Sequence, residues 1–180
     1  MDRRLFLAGA GASLVATLAG CLGGTSGENT SGRECRESTL NHDNNSEERF
    51  LEEGATPGST GAREFLATVE EETDGLTRFR GDGDTWRIGF SEEGNTWEIK
   101  YRGTPHGGED RFREEIAKLS PAFASNRPDG VSLAATSLHE CTTGTWHVCA
   151  DPAGAYERGE LDRETFVDRI HENAEVVNNC

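Results

Sequence analysis

Four side chains able to hold a metal fall in one short stretch, as His139-x-Cys141 and His147-x-Cys149. Strand alternation places each His on the same face as its Cys. If Thr142-Thr143-Gly144 closes a three-residue loop, Cys141 faces Thr145 and His139 faces His147. All four then share one face, opposite Leu138, Trp146 and Val148, and form a donor set suited to zinc or copper. Oxidation competes for the same thiols, and disulfides would leave the two His as ordinary surface side chains. A one-residue change of register also separates the imidazoles.

Other candidate chemistry is weaker. Asp82-Gly83-Asp84 with Glu93 has the look of a calcium loop, but Trp86 and Arg87 stand where a ligand and the obligatory Gly belong. Gly81 and Gly83 lack the strand–loop–helix setting of a phosphate cradle. No Ser/His/Asp or Cys/His arrangement carries a nucleophile signature. Trp86, Trp97 and Tyr101 alternate as core residues do, and the Glu70-Glu71-Glu72 run reads as a solvated face. No catalytic residue and no cofactor is therefore expected.

The N-terminus carries a different kind of chemistry. Arg3-Arg4 precede Leu5-Phe6-Leu7 and an uncharged run to Gly20, the layout of a twin-arginine export signal. The run is short and rich in Ala and Gly, whereas a permanent span needs about 17–25 mostly apolar residues. Leu18-Ala19-Gly20-Cys21 resembles the lipobox of prokaryotic lipoproteins. In that family the Cys is alkylated by a membrane lipid and, where processing occurs, becomes the new N-terminus. Small residues at 19 and 20 admit a peptidase, and the Cys21 thiol is the nucleophile. A two-chain lipid anchors far better than one, because each buried CH₂ contributes about 0.8 kcal/mol. A cleaved signal with a chance Cys, or an uncleaved anchor helix, is the alternative. The expected setting is the outer face of the cell membrane, with the lipid on Cys21 as partner.

Composition supports that address. The 180 residues include 18 Lys+Arg against 33 Asp+Glu, for a formal charge of −15. Removing residues 1–20 takes away Asp2, Arg3 and Arg4 and leaves 16 bases against 32 acids, a net −16. Nucleic-acid binding is disfavoured, since phosphate backbones demand basic patches. Lys occurs only at 100 and 118. Such a chain repels itself in dilute buffer, whereas molar salt shortens the Debye length to about 3 Å. Abundant carboxylates with scarce Lys are what a haloarchaeal export would show.

Five Cys is an odd number for an exported protein. Lipid on Cys21 leaves Cys35, Cys141, Cys149 and Cys180, an even set suited to an oxidising compartment. Two disulfides have three possible connectivities, and all three stay open. Residues 21–61 are rich in Gly, Ser, Thr, Asn and Glu and read as a tether, with one short helix expected from Ser46 to Gly54. Asn29 and Asn44 head glycosylation sequons there.

Residues 62–180 read as an α+β domain. Phe65, Leu66 and Val69 mark a first helix ending at Gly75. Trp86, Ile88 and Phe90, then Trp97, Ile99 and Tyr101, alternate around Glu93-Gly94-Asn95 as a hairpin, and Phe79 suggests a further short strand. Phe112, Ile116, Leu119 and Phe123 form one stripe of a helix that Pro121 should kink or end. After the Arg127-Pro128-Asp129-Gly130 turn comes a second hairpin, 131–140 with 145–150, and then helices over 151–158 and 162–177 capped by Asp162. The economical fold has the order helix, hairpin, helix, hairpin, helix, helix. It is a four-stranded antiparallel sheet with helices on one face.

The segments Tyr101–Thr104, Leu133–Thr136, Thr145–Val148 and Ala155–Leu161 carry a resemblance. Over residues 62–177 the chain looks like a family of small haloarchaeal lipoprotein domains of unknown function. Its most telling piece is the Trp-x-Val strand leading into Ala-Tyr-x-x-Gly-Glu-Leu. The resemblance implies the fold and a cell-surface setting, and it transfers no reaction and no catalytic residue. Cys141 and Cys149 are not general in that family. The resulting expectation is a non-enzymatic, lipid-anchored binding or envelope-interaction domain, with the His/Cys metal module as the alternative.

Overall fold

The computed structural model describes residues 50–81 and 83–180. Cys21, Cys35, Asn29, Asn44, most of the tether and Asp82 lie outside the described residues. The elements are α1 (Thr60–Glu72), β1 (Arg78–Arg80), β2 (Trp86–Ile88), β3 (Phe90–Glu93), β4 (Thr96–Arg102), a 3-10 turn (Pro105–Gly107), α2 (Glu109–Asn126), β5 (Ser132–His139), β6 (Thr142–Val148), α3 (Ala150–Glu157), α4 (Arg163–His171) and β7 (Glu175–Asn178).

The α+β expectation holds, but the sheet differs. Five strands pair in the order β3-β4-β5-β6-β7, and β1 and β2 form a separate ribbon. β4 and β5 are parallel, from Thr96↔Ser132 to Arg102↔Leu138, and every other pairing is antiparallel. The long connection through α2 makes this possible, since parallel neighbours need a crossover of a dozen or more residues.

Alternation then sorts the side chains. Trp97, Ile99, Tyr101, Leu133, Ala135, Trp146 and Val148 are buried on one face. There Phe65 of α1 stacks on Trp97 at 5.9 Å between ring centroids, and Phe123 of α2 meets Trp97 edge-on at 5.6 Å. Trp86 departs from this pattern at 48 % exposure. The first strand breaks at Gly89, whose amide donates to Thr77 O while its carbonyl accepts from Lys100 N. A Cβ there would lie 2.1 Å from Lys100 O, so only Gly fits the bend that hands the chain from ribbon to sheet.

The fold also starts earlier than Ala62. Phe50 is buried, and Leu51 is bonded to both Phe90 O and Ile88 N through its backbone. Residues 50–54 contain a β-bridge, Glu52↔Arg87, rather than the end of a short helix. Phe50 and Phe79 meet edge-on at 5.2 Å, with Lys100 Nζ 4.8 Å above the Phe50 ring. They lie on the side of β4 away from α1 and α2.

Pro121 does not stop α2, which runs on to Asn126. A helical Pro removes the bond to the carbonyl four residues back. That carbonyl, Ala117 O, accepts from Arg163 Nη2 at 2.9 Å instead. A distant side chain thus satisfies the group that the Pro would have orphaned.

The second hairpin turns at Glu140-Cys141, with His139 opposite Thr142. Thr142-Thr143-Gly144 is strand, not loop. Gly144 serves packing: a Cβ there would lie 2.6 Å from Phe112 Cζ. The final helix is likewise shorter than its apolar spacing suggests. α4 ends at His171, and Val176 and Val177 lie in β7, which pairs with β6. Val177 is therefore 53 % exposed rather than inward. Asp162 does cap α4, accepting from Thr165 N at 2.8 Å.

Two outcomes follow. Gly144→Ala should destabilise the domain by about 1–3 kcal/mol in denaturant unfolding, as overpacking does, with partial recovery in a Phe112→Leu background. The hydrogen bonds from Thr165 hold the Asp162 carboxyl below its ordinary range. Its contribution is present above the unfolded carboxyl pKa and is lost as pH falls through the lower folded value. Amide exchange in the first turn of α4 should accelerate over that acid window, and Asp162→Ala should abolish the pH dependence.

Candidate functional site

The carboxyl ends of the parallel pair are where a ligand crevice is expected in α/β sheets. β4 ends there in Arg102-Gly103-Thr104, and β5 in Leu138-His139. A cleft of about 530 Å³ opens beside Arg102, Gly103, Thr104, Arg111, Glu115 and Lys118. A second, of about 640 Å³, lies beside Phe79, Lys100, Arg102 and His139. A third, of about 630 Å³, lies beside His106, Phe112, His171 and Val176. His106 and His139 stack with ring centroids 3.4 Å apart, one lining the third cleft and the other the second.

Glu115 lies under the first cleft and is 6 % exposed. Its Oε1 accepts from the Tyr101 hydroxyl at 2.6 Å, and its Oε2 accepts from Thr104 N at 2.6 Å and Thr104 Oγ1 at 3.2 Å. Tyr101 Oη in turn accepts from Trp146 Nε1 at 2.8 Å. Burial foremost, then the charge of Glu115, pushes the Tyr101 phenol well above its usual range, so it stays a proton donor. Gly103 makes room, since a Cβ would lie 2.4 Å from Glu115 Oε2.

Three donors on one carboxylate bind α2 to β4, and through Tyr101 to β6. The acid is thereby engaged as an acceptor, and it faces a phenol that keeps its proton. The cleft above it mixes Glu71, Glu72, Asp74 and Glu114 with Arg102, Arg111 and Lys118, the last paired with Glu72 at 2.7 Å. The result is a cleft of mixed charge over a hydrogen-bonded floor.

The four residues first considered as metal ligands are not brought together. His139 opposes Thr142 and His147 opposes Ala134. The register is five residues from the one that would pair the two His. Five is odd, so they take opposite faces of the sheet. Cys141 is bonded to Cys180, with a Cα–Cα distance of 5.4 Å, and Cys149 is disulfide-bonded as well. Among the described residues no group of three or more His, Cys, Asp or Glu side chains is placed to hold a metal. No helix among them is long and apolar enough to cross a membrane.

Glu115 escaped the sequence reading. It borders the apolar stripe of Phe112, Ile116 and Leu119, one helical step beyond Leu119, where an acid can turn either to the core or to solvent. The His106–His139 pair left no signal, because the residues meet only across the fold. Comparison with protein families, curated proteins and solved structures finds no significant match for this chain.

Tyr101→Phe should destabilise the domain by about 1–3 kcal/mol for each buried group left unpaired, here Glu115 Oε1 and Trp146 Nε1. Denaturant unfolding followed by Trp fluorescence checks this. An unchanged midpoint would show that the network carries no stability.

Proposed function

We propose that this chain is a lipid-anchored, non-enzymatic protein of the outer face of a haloarchaeal cell membrane, whose α+β domain binds an envelope or extracellular partner. The observation that carries the anchor is the order Arg3-Arg4, apolar run, Leu18-Ala19-Gly20-Cys21. The strongly acidic, Lys-poor composition and the resemblance over 62–177 support the setting. The binding role rests on the three clefts gathered at one end of the sheet, above a buried acid engaged in structural hydrogen bonds. The polar residues between Cys21 and Phe50 supply a spacer between lipid and domain.

The test is the intact mass of the protein from membranes of a salt-loving archaeal host. Expected is a chain beginning at Cys21 and carrying a lipid, with Cys21→Ser released from the membrane fraction. An unmodified chain that keeps residues 1–20 and is found in the cytosol would overturn the reading.

A further inference from the structure

Cys149 sits at the end of the sheet opposite the clefts. β4 and β5 run towards Arg102 and His139, and β6 returns from Thr142 to Val148, so that Cys149 follows at the far end. Asn95 and Ser132 mark the same end, where Ser132 N donates to Asn95 O. Cys149 is disulfide-bonded, and the other two described Cys are bonded to each other. Of the five Cys in the sequence, Cys21 and Cys35 are left as candidates for its partner.

We infer that Cys149 is joined to Cys35, and that this bond turns the clefted end of the domain away from the membrane. The choice of Cys35 and the orientation rest on the lipid reading, which commits the Cys21 thiol to a thioether. In the bond-forming step the Cys35 and Cys149 thiols lose two protons and two electrons to the disulfide of a thiol–disulfide exchange protein. That protein leaves as its dithiol, and one S–S bond forms here.

The chain can reach. Phe50 packs by Lys100, which is level with Thr136 and Thr145, and Cys149 lies four residues further along. That is about 13 Å along the sheet and about 10 Å across it. Residues 36–49 span up to about 46 Å extended. Alternation also directs Cys149 to the side of His147, away from the helices, which is the side that carries Phe50. With the bond in place the anchored length runs only from residue 21 to 35, about 20 Å root-mean-square, against about 30 Å to Phe50 without it. The suspension point moves to the Asn95 end, and the crevices at Arg102, Thr104 and His139 face outward.

Non-reducing proteolysis of the lipoprotein from its membrane, followed by mass spectrometry, tests the bond. Expected are one peptide pair containing Cys35 and Cys149 and another containing Cys141 and Cys180, both separated by reductant. Cys35 alkylated without reductant, while Cys21 carries lipid, overturns this inference alone. Cys149 bonded to Cys21 overturns the lipid reading with it.

Orientation is read by energy transfer from an amine-linked donor to acceptor lipids in vesicles, in a Lys100→Arg/Lys118→Arg background. Donors are placed at Asn95→Lys or at Glu140→Lys, at opposite ends of the sheet. The Asn95→Lys donor should report a position about 20 Å nearer the bilayer. The difference should vanish in Cys35→Ser/Cys149→Ser, whose retained Cys141–Cys180 bond reports folding. Equal transfer from both positions in the disulfide-bonded protein overturns the orientation.

Discussion

A single carboxylate decides how the helical layer sits on the sheet. Glu115 takes three hydrogen bonds from β4 and the residues just after it, and Tyr101 relays the contact to Trp146 on β6. An unpaired acid at that depth would cost far more than any one of these bonds contributes. The arrangement therefore tolerates little displacement of α2 along its axis. Because the same residues floor the first cleft, the geometry of that end follows from it. The carboxylate also has a specific phenolic donor, since burial and its own charge keep Tyr101 protonated.

Around this anchor, the domain resolves local conflicts with distant groups. Pro121 interrupts the hydrogen-bond ladder of α2, and Arg163 of α4 binds the freed Ala117 carbonyl. Gly144 weakens β6 as a strand but lets the Phe112 ring lie against it. Buried Arg127 spans from α2 to Glu157 of α3 at 3.2 Å. Each is a tertiary answer to a residue that looks unfavourable within its own segment.

Polarity is the other consequence of the topology. One parallel pair in an otherwise antiparallel sheet sends two strand ends in the same direction, and Arg102 and His139 arrive side by side with the clefts around them. The antiparallel return of β6 carries Cys149 to the opposite end. With β4 and β5 antiparallel, Arg102 and His139 would have fallen at opposite ends of the sheet. The formal charge of −15 adds mutual repulsion that opposes the compact state and that salt screens.

What was legible in the chain was what depends on neighbours in sequence. The α+β class, the stripe Phe112–Phe123, the Gly94-Asn95 hairpin and the Asp162 cap all rest on local spacing or short motifs. Glu115, at the edge of that stripe, was not legible as an inward residue. What only the tertiary structure decided depends on residues far apart. The parallel pairing of β4 with β5 arises because α2 is long enough to cross over. The register of the second hairpin follows from packing Gly144 under Phe112, which sets His139 and His147 on opposite faces. Val177 takes helical spacing in the sequence and strand geometry in the fold, because β6 offers an edge and Cys141 holds Cys180 beside it. Apolar periodicity says that a side chain must be buried or partnered. Only the assembled sheet says against what.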